Sequence, residues 1–234
     1  MSPDTLHENE TKSLLGDILE RFDVSSQKDP GNLSSNAVHL ERIVDGALVC
    51  IARYGLSKTG VEDIAKESKC SRATVYRVFP GGKESIIEAV VATEVGRLFR
   101  SISLRLEKVD TLEDALVAMV HEAGLRLLAH EALSAVVTLE PSLILPHLAF
   151  DRMSDLLDIA SDLGAPMLER WLPLETGGRV AEWIARIVIS YSASPAENVN
   201  IADEDSVRSL VATFVMPGIE VLLKGSSSLA GNDS

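Results

Sequence analysis

The side chains best placed to do chemistry are concentrated in one short stretch. Between residues 66 and 83, five cations (Lys66, Lys69, Arg72, Arg77 and Lys83) stand against one anion, Glu67. Ser71, Thr74 and Tyr76 interleave hydroxyls among them. Such a set suits a polyanion. Ammonium, guanidinium and hydroxyl groups donate to phosphate oxygens, and a planar guanidinium can also grip guanine O6 and N7, worth about 1–3 kcal/mol of base discrimination. Enzyme chemistry finds no such cluster: the chain has no nucleophile elbow, no phosphate-cradling glycine loop and no carboxylate pair with catalytic spacing. The pairs His121-Glu122 and His130-Glu131 lack the second histidine at i+4 that a zinc-binding helix uses, and Cys50 and Cys70 have no ligand-like spacing. No catalytic role, metal or cofactor is therefore expected.

The surrounding pattern predicts what positions these groups. A short helix from Val61 to Ser68 turns inward on Val61, Ile64 and Ala65, with Gly60 or Thr59 as its cap. A three-residue turn, Lys69-Cys70-Ser71, leads to a second short helix, Arg72 to Phe79, capped by Ser71. Gly81-Gly82-Lys83 launches a third. In the second helix the 3.6-residue period sends Val75, Val78 and Phe79 to the core and leaves Arg72, Ala73, Thr74, Tyr76 and Arg77 outside. Two short helices joined by a tight turn form the helix-turn-helix that reads DNA in the major groove. The expected DNA contacts are Thr59, Lys69, Ser71, Arg72, Ala73, Thr74, Tyr76, Arg77 and Lys83, the last as a phosphate clamp.

Charge supports this placement despite a net −13 over 234 residues. Residues 1–35 carry 3 basic and 7 acidic side chains, residues 36–99 carry 9 and 8, and residues 100–234 carry 10 and 20. The basic island coincides with the helix-turn-helix, and the acidic remainder should suppress non-specific DNA binding.

The stretch GLSKTGVEDIAKESKCSRATVYRVFPGGKESIIEAVV resembles the DNA-binding domain of TetR-type (TetR/AcrR) transcriptional regulators. The resemblance rests on Gly55, the Val61-to-Ala65 core pattern, Ser71 with Thr74-Val75-Tyr76, Phe79 and Lys83-Glu84, and covers about a fifth of the chain. It implies a homodimer that binds a palindromic double-stranded DNA operator through its N-terminal helices, and a larger helical C-terminal domain that binds a small effector. Positions matching Ser71, Arg72, Thr74, Tyr76 and Lys83 commonly face DNA in that family. Two departures stand out. Where the turn usually holds glycine followed by an aliphatic residue, this chain has Lys69 and Cys70. A left-handed lysine should cost on the order of 1 kcal/mol relative to glycine. Cys70 reads as a small buried hydrophobe, with redox sensing as the sharper alternative.

The whole chain reads as all-α: 46% apolar, few aromatics, and Leu, Ala, Val and Ile at helical spacing. Residues 1–35 form an acidic extension with a possible amphipathic helix at Leu14, Leu15, Ile18, Leu19 and Phe22. Residues 36–85 form the DNA-binding domain, 86–224 the effector and dimerisation domain, and 225–234 a disordered tail. A helix from about Ala37 to Tyr54 precedes the reading unit, and a long one follows it towards Leu106. Asp110 or Thr111 caps the next, Ser134–Thr138 forms a short one, and Pro146 opens another that Gly164 closes. The residues 175–178 then lead into a helix from Arg179, and Asp203 to Leu223 forms the last, kinked or broken near Met216 by Pro217-Gly218. With no run of eighteen apolar residues and an acidic N-terminal segment, no membrane association and a cytoplasmic location are expected.

The wide apolar faces of the last two helices suggest an isologous four-helix dimer interface: Val180, Ile184, Ile187, Val188 and Tyr191 on one, Val207, Leu210, Val211 and Phe214 on the other. Candidate effector-lining residues are Met119, Leu127, Val136, Leu139, Leu143, Met153, Leu157, Met167, Trp171 and Trp183. Their aliphatic character favours a lipid-like or acyl molecule, such as a fatty acid or acyl thioester, over a planar cation. The expected function is a repressor released from its operator by that apolar ligand. The alternative is a helical small-molecule-binding or signalling protein without specific DNA binding.

Overall fold

The computed structural model describes residues 35–140, Ser142 and 153–230. The fold is all-α. Among the described residues, ten α-helices and one π-helical stretch make up the regular structure, with a lone antiparallel bridge between Ala196 and Val199. The N-terminal extension, Leu143 and the helix expected to open at Pro146 lie outside the described residues, apart from the part of that helix beyond Met153.

Helix α1 (Ser35–Tyr54) ends at Gly55, whose φ of 81° is the left-handed conformation that favours glycine. Helices α2 (Val61–Glu67) and α3 (Arg72–Val78) form the helix-turn-helix, and α4 (Lys83–Leu106) follows. Helix α5 (Leu112–Ala129) starts on Thr111, whose hydroxyl accepts the Asp114 N–H at 3.1 Å. Helix α6 (Glu131–Leu139) begins three residues before the expected Ser134, because His130 is its N-cap: Nδ1 accepts the Leu133 N–H at 3.0 Å.

Helix α7 (Met153–Met167) runs through Gly164 instead of closing there, and α8 (Leu174–Ala193) includes Gly177 and Gly178 instead of starting after them. These glycines permit close helix contact. A Cβ on Gly164 would lie 2.4 Å from that of Ala181, one on Gly177 3.1 Å from the Ala165 carbonyl oxygen, and one on Gly178 2.8 Å from Ser161 Oγ. Helix α9 (Glu204–Leu210) is capped by Asp203, and the π-helical stretch Val211–Val215 joins it to α10 (Met216–Ala230). The expected kink thus takes the form of a widened turn directly before Pro217, which has no N–H and needs room beside the preceding turn. Helix α10 continues to Ala230, into the stretch expected to be a disordered tail.

Two compact units result. The described parts of 1–97 and 130–149 form one, and those of 98–129 and 150–234 the other, so α4 contributes to both. The expected linear boundary at 85/86 is replaced by a division that returns α6 to the first unit, where Ala132 and Val136 are buried with Ile51. The first unit's main core gathers Ile43, Val44, Ala47, Cys50, Ile64, Ala65, Val75, Phe79, Ile86 and Val90. The second unit is built on α5: Leu116, Met119, Val120 and Ala123 are buried with Leu168, Ile184, Val188, Val207 and Val211. The segment Glu204–Leu223 is long and apolar enough to cross a membrane by length and composition, but Val207, Leu210, Val211, Val215 and Ile219 on it are buried in the chain's own fold.

Candidate nucleic-acid interface

The recognition helix α3 is seated by Val75, which is fully buried, with Phe79 beside it. Burying a valine side chain contributes roughly 1.5–3 kcal/mol. Ser71 starts the helix as expected: its Oγ accepts the Thr74 N–H at 3.0 Å and lies 2.8 Å from Thr74 Oγ1. With Val75 inward, Lys69, Ser71, Arg72, Ala73, Tyr76 and Arg77 are exposed and Thr74 is half-buried. Seven of the nine expected contacts therefore occupy one continuous stretch of surface at the turn and on α3.

The turn is built around its least typical residue. Lys69 adopts φ 53°, the one non-glycine with positive φ among the described residues. Its N–H donates to the Lys66 carbonyl at 3.2 Å, and the Cys70 N–H reaches back to the Ala65 carbonyl at 2.9 Å. These paired bonds are the helix-ending motif that ordinarily places glycine at the left-handed position. Arg42 on α1 supports it, donating through Nη2 to the Ser68 carbonyl at 2.7 Å and the Lys69 carbonyl at 3.3 Å. Gly46 admits this approach, since a Cβ there would sit 3.0 Å from Ser68 Cβ. Cys70 is half-buried, with Sγ 3.8 Å from His39 Nδ1.

Besides Ser71 and Thr74, three expected contacts have partners within the protein. Arg72 forms an exposed ion pair with Glu62 at 2.5 Å, and its guanidinium lies 5.8 Å from the centre of the Tyr76 ring. Lys83 Nζ donates to the carbonyls of Leu56 at 2.7 Å and Ser57 at 3.2 Å. Thr59 is a correction: it is 1% exposed, and its hydroxyl donates to the Gly55 carbonyl at 2.7 Å, closing the loop before α2 instead of facing DNA. Gly60 is the N-cap of α2, with its N–H on Asp63 Oδ2 at 3.0 Å.

A polar chain missed in the sequence runs through the same unit. Asp45 accepts from Arg97 at 2.7 Å, Arg97 also donates to Glu94 at 2.8 Å, and Glu94 lies 3.1 Å from His130 Nε2. The hydrogen bond to His130, helped by Arg97, holds the Glu94 carboxyl below its ordinary range despite partial burial. Glu140 was missed as well. Its carboxylate accepts the backbone N–H groups of Leu56 and Ser57, and hydrogen bonding from the Ser57 side chain, followed by these two N–H groups, holds its pKa down.

The other expected sites are less concentrated. Of the effector-lining candidates, Val136 and Leu139 belong to the first unit, where Val136 is buried and Leu139 is exposed. In the second unit Met119 and Leu157 are buried, Leu127, Met153, Met167 and Trp171 are half-buried, and Trp183 is 53% exposed. The Trp171 indole N–H donates to the Asp110 carbonyl at 2.9 Å. Of the dimer candidates, Val180, Ile184, Val188, Val207, Leu210 and Val211 are buried within the chain, because α8, α9 and the π-helical stretch turn these residues into its own core. Ile187 and Tyr191 are half-buried, and Phe214 is 67% exposed.

An all-α chain presenting a capped helix-turn-helix with a cationic outer face has the architecture of a DNA-binding protein, and comparison with known proteins gives its likenesses. Residues 43–90 match the family described as bacterial regulatory proteins, tetR family. An uncharacterized HTH-type transcriptional regulator of Mycobacterium tuberculosis, Rv1255c, is 28% identical over 180 residues, covering 76% of this chain and 83% of that protein. Among solved structures, the TetR family repressor AlkX from Dietzia sp. aligns with a TM-score of 0.59 at 21% identity, over 81% of this chain and 97% of that one. The fatty acid degradation regulator FadR from Bacillus halodurans aligns with a TM-score of 0.50 at 18% identity, over 75% and 98%. Residues 43–90 thus match the DNA-binding domain of TetR-type regulators, the matched relative over most of the chain is described as an HTH-type transcriptional regulator, and the solved structures share the fold.

Proposed function

We propose that this protein is a cytoplasmic, homodimeric repressor that binds a palindromic operator through Lys69, Ser71, Arg72, Ala73, Thr74, Tyr76, Arg77 and Lys83, and leaves it when an apolar, acyl-like molecule binds the second unit. The observation that carries the reading is the recognition helix: Val75 is fully buried, while Arg72, Tyr76 and Arg77 stand exposed on the other face. Arg72 is the base-reading candidate, and the hydroxyls and Lys83 set register on phosphates.

The second unit supports dimerisation. Only 28% of the apolar window in Glu204–Leu223 is buried, and Trp183, Phe214 and Val221 are 53%, 67% and 69% exposed. These side chains, with Ile187 and Tyr191, form the surface offered to a second copy. The half-buried Leu127, Met153 and Met167 support the effector class, as do the roles of two structural neighbours, FadR, a regulator of fatty acid degradation, and AlkX, implicated in n-alkane biodegradation. Binding in the second unit is read out through α4, which contributes to both units. Coupling of this kind requires the ligand to bind the free form more tightly than the DNA-bound form.

The test is a gel shift on the DNA upstream of the protein's own gene. Specific binding should be lost on Arg72→Ala combined with Tyr76→Phe, and long-chain acyl thioesters should release the wild-type complex. Binding that ignores sequence, or that survives the double substitution, contradicts the operator assignment; a complex indifferent to acyl compounds contradicts the effector class.

A further inference from the structure

The dipeptide Leu56–Ser57, which leads into the helix-turn-helix, is held by opposite charges on its two kinds of backbone group. Glu140 Oε2 accepts the Leu56 N–H at 2.6 Å, and Oε1 and Oε2 accept the Ser57 N–H at 2.9 and 3.1 Å. The Lys83 ammonium donates to the carbonyls of the same two residues. Gly55 makes this possible, since even a Cβ at that position would lie 3.1 Å from Glu140 Oε2. Thr59 closes the loop from the other side through the Gly55 carbonyl. The carboxylate comes from 84 residues away in sequence, from the C-cap of α6, where the helix dipole disfavours an anion. Its location is unfavourable for α6 and favourable for the loop before α2.

We propose that Glu140 is a positioning residue for DNA binding: through the Leu56–Ser57 backbone it fixes the approach to α2 and holds Lys83 where its ammonium can meet a DNA phosphate. This rests on the DNA-binding reading of the first unit given above. An ammonium has three N–H donors, and two are committed to Leu56 and Ser57. The third is left for phosphate, on a side chain whose rotamer freedom has already been reduced before DNA arrives. Glu140 therefore acts on a phosphate contact, which contributes affinity without reading sequence.

The sign of the effect separates this role from plain electrostatics. Removing a negative charge from a DNA-binding unit should by itself tighten binding. The positioning role predicts that Glu140→Gln weakens it, because an amide cannot accept at both of its positions. The measurement is fluorescence anisotropy of a mixed-sequence duplex of about 30 base pairs, titrated with the full-length protein over a range of salt concentrations. Affinity should fall about tenfold for Glu140→Gln, with the log–log salt slope shallower by about one, as for a lost phosphate contact. Glu140→Asp, which keeps the charge and both acceptors, should recover part of the loss. The double variant with Lys83→Met should be no weaker than Lys83→Met alone, since the two residues act on one contact. Thermal unfolding of each variant, read by circular dichroism, sets the folded fraction used in the fit, so loss of fold is not counted as loss of affinity. Equal or tighter binding by Glu140→Gln with an unchanged slope overturns the proposal, and so do losses that add in the double variant. If the wild type shows no salt-dependent binding to any duplex, the DNA-binding reading fails first and takes the proposal with it.

Discussion

The two units are secured at their tightest points by opposite means. In the first, backbone groups are gripped by charge: Arg42 on the carbonyls of Ser68 and Lys69, and Glu140 and Lys83 on Leu56–Ser57. In the second, side chains are removed so that backbones can meet. Gly164, Gly177 and Gly178 line the contact between α7 and α8, and Gly124 on α5 lies so near Ile201 that a Cβ would be 2.6 Å from its carbonyl oxygen. Charged grips are directional and respond to salt and pH, which suits a surface that must present donors at fixed positions. Contacts made by omission are dry and tolerate no added carbon, which suits a scaffold that has only to keep its shape.

If this contrast is right, the largest effects belong to the second unit. Gly164→Ala and Gly124→Ala should each destabilise by about 1–3 kcal/mol through overpacking. The same change at Gly96, where a Cβ meets nothing within 4 Å, should stabilise by about 0.5–1 kcal/mol because glycine is a poor helix former. Urea unfolding followed by circular dichroism measures all three, and a gain at Gly164 would break the comparison. A smaller effect belongs to the turn. Arg42→Ala should cost about 1 kcal/mol by freeing two carbonyls, and Lys69→Gly should return about as much by relieving the left-handed lysine. DNA affinity separates the two: Arg42→Ala should weaken it by misplacing α3. For Lys69→Gly, an unchanged salt slope would show that Lys69 makes no phosphate contact.

The smallest effect is the share of the pH dependence that Glu94 of the first unit contributes. The folded-state pKa of Glu94 is held below the ordinary 4.5, chiefly by the hydrogen bond with His130. The stability this contributes is fully present above the unfolded-state value and is lost as pH falls through the lowered folded one. Glu94→Gln should therefore flatten the acid limb of stability against pH, whereas Gly164→Ala should lower the whole curve and leave that limb's slope unchanged. Denaturant midpoints collected from about pH 3 to about pH 7, spanning the ordinary carboxylate value, distinguish the two shapes.

How much of this was legible in the sequence depended on how local the signal was. Gly55, Ser71 and the Val75/Phe79 spacing act within one or two turns, and each marks its element correctly. Gly164 and Gly177-Gly178 read as helix ends, since glycine usually is one, and only the neighbouring helix reveals why they are interior. His130 as the partner of Glu94 and Glu140 as a loop anchor depend on residues far away in the chain. Glu140 still left a trace, an anion at a helix C-terminus immediately before Pro141, where nothing local rewards it. Thr59 is expected among the DNA contacts, but a buried carbonyl four residues earlier takes its hydroxyl.

The ion pair between Arg72 and Glu62 bears on how the protein would search a genome. In the proposed mode of binding, the guanidinium would keep its carboxylate on random sequence, so Arg72 would add little to the hold and leave the protein free to slide along the duplex. At a guanine in the right place, the bidentate base edge competes for the guanidinium and the partner is exchanged. Under the proposed operator contact, Glu62 would raise the threshold for engagement, so that Arg72 would contribute more to residence time at the operator than to the rate of first encounter.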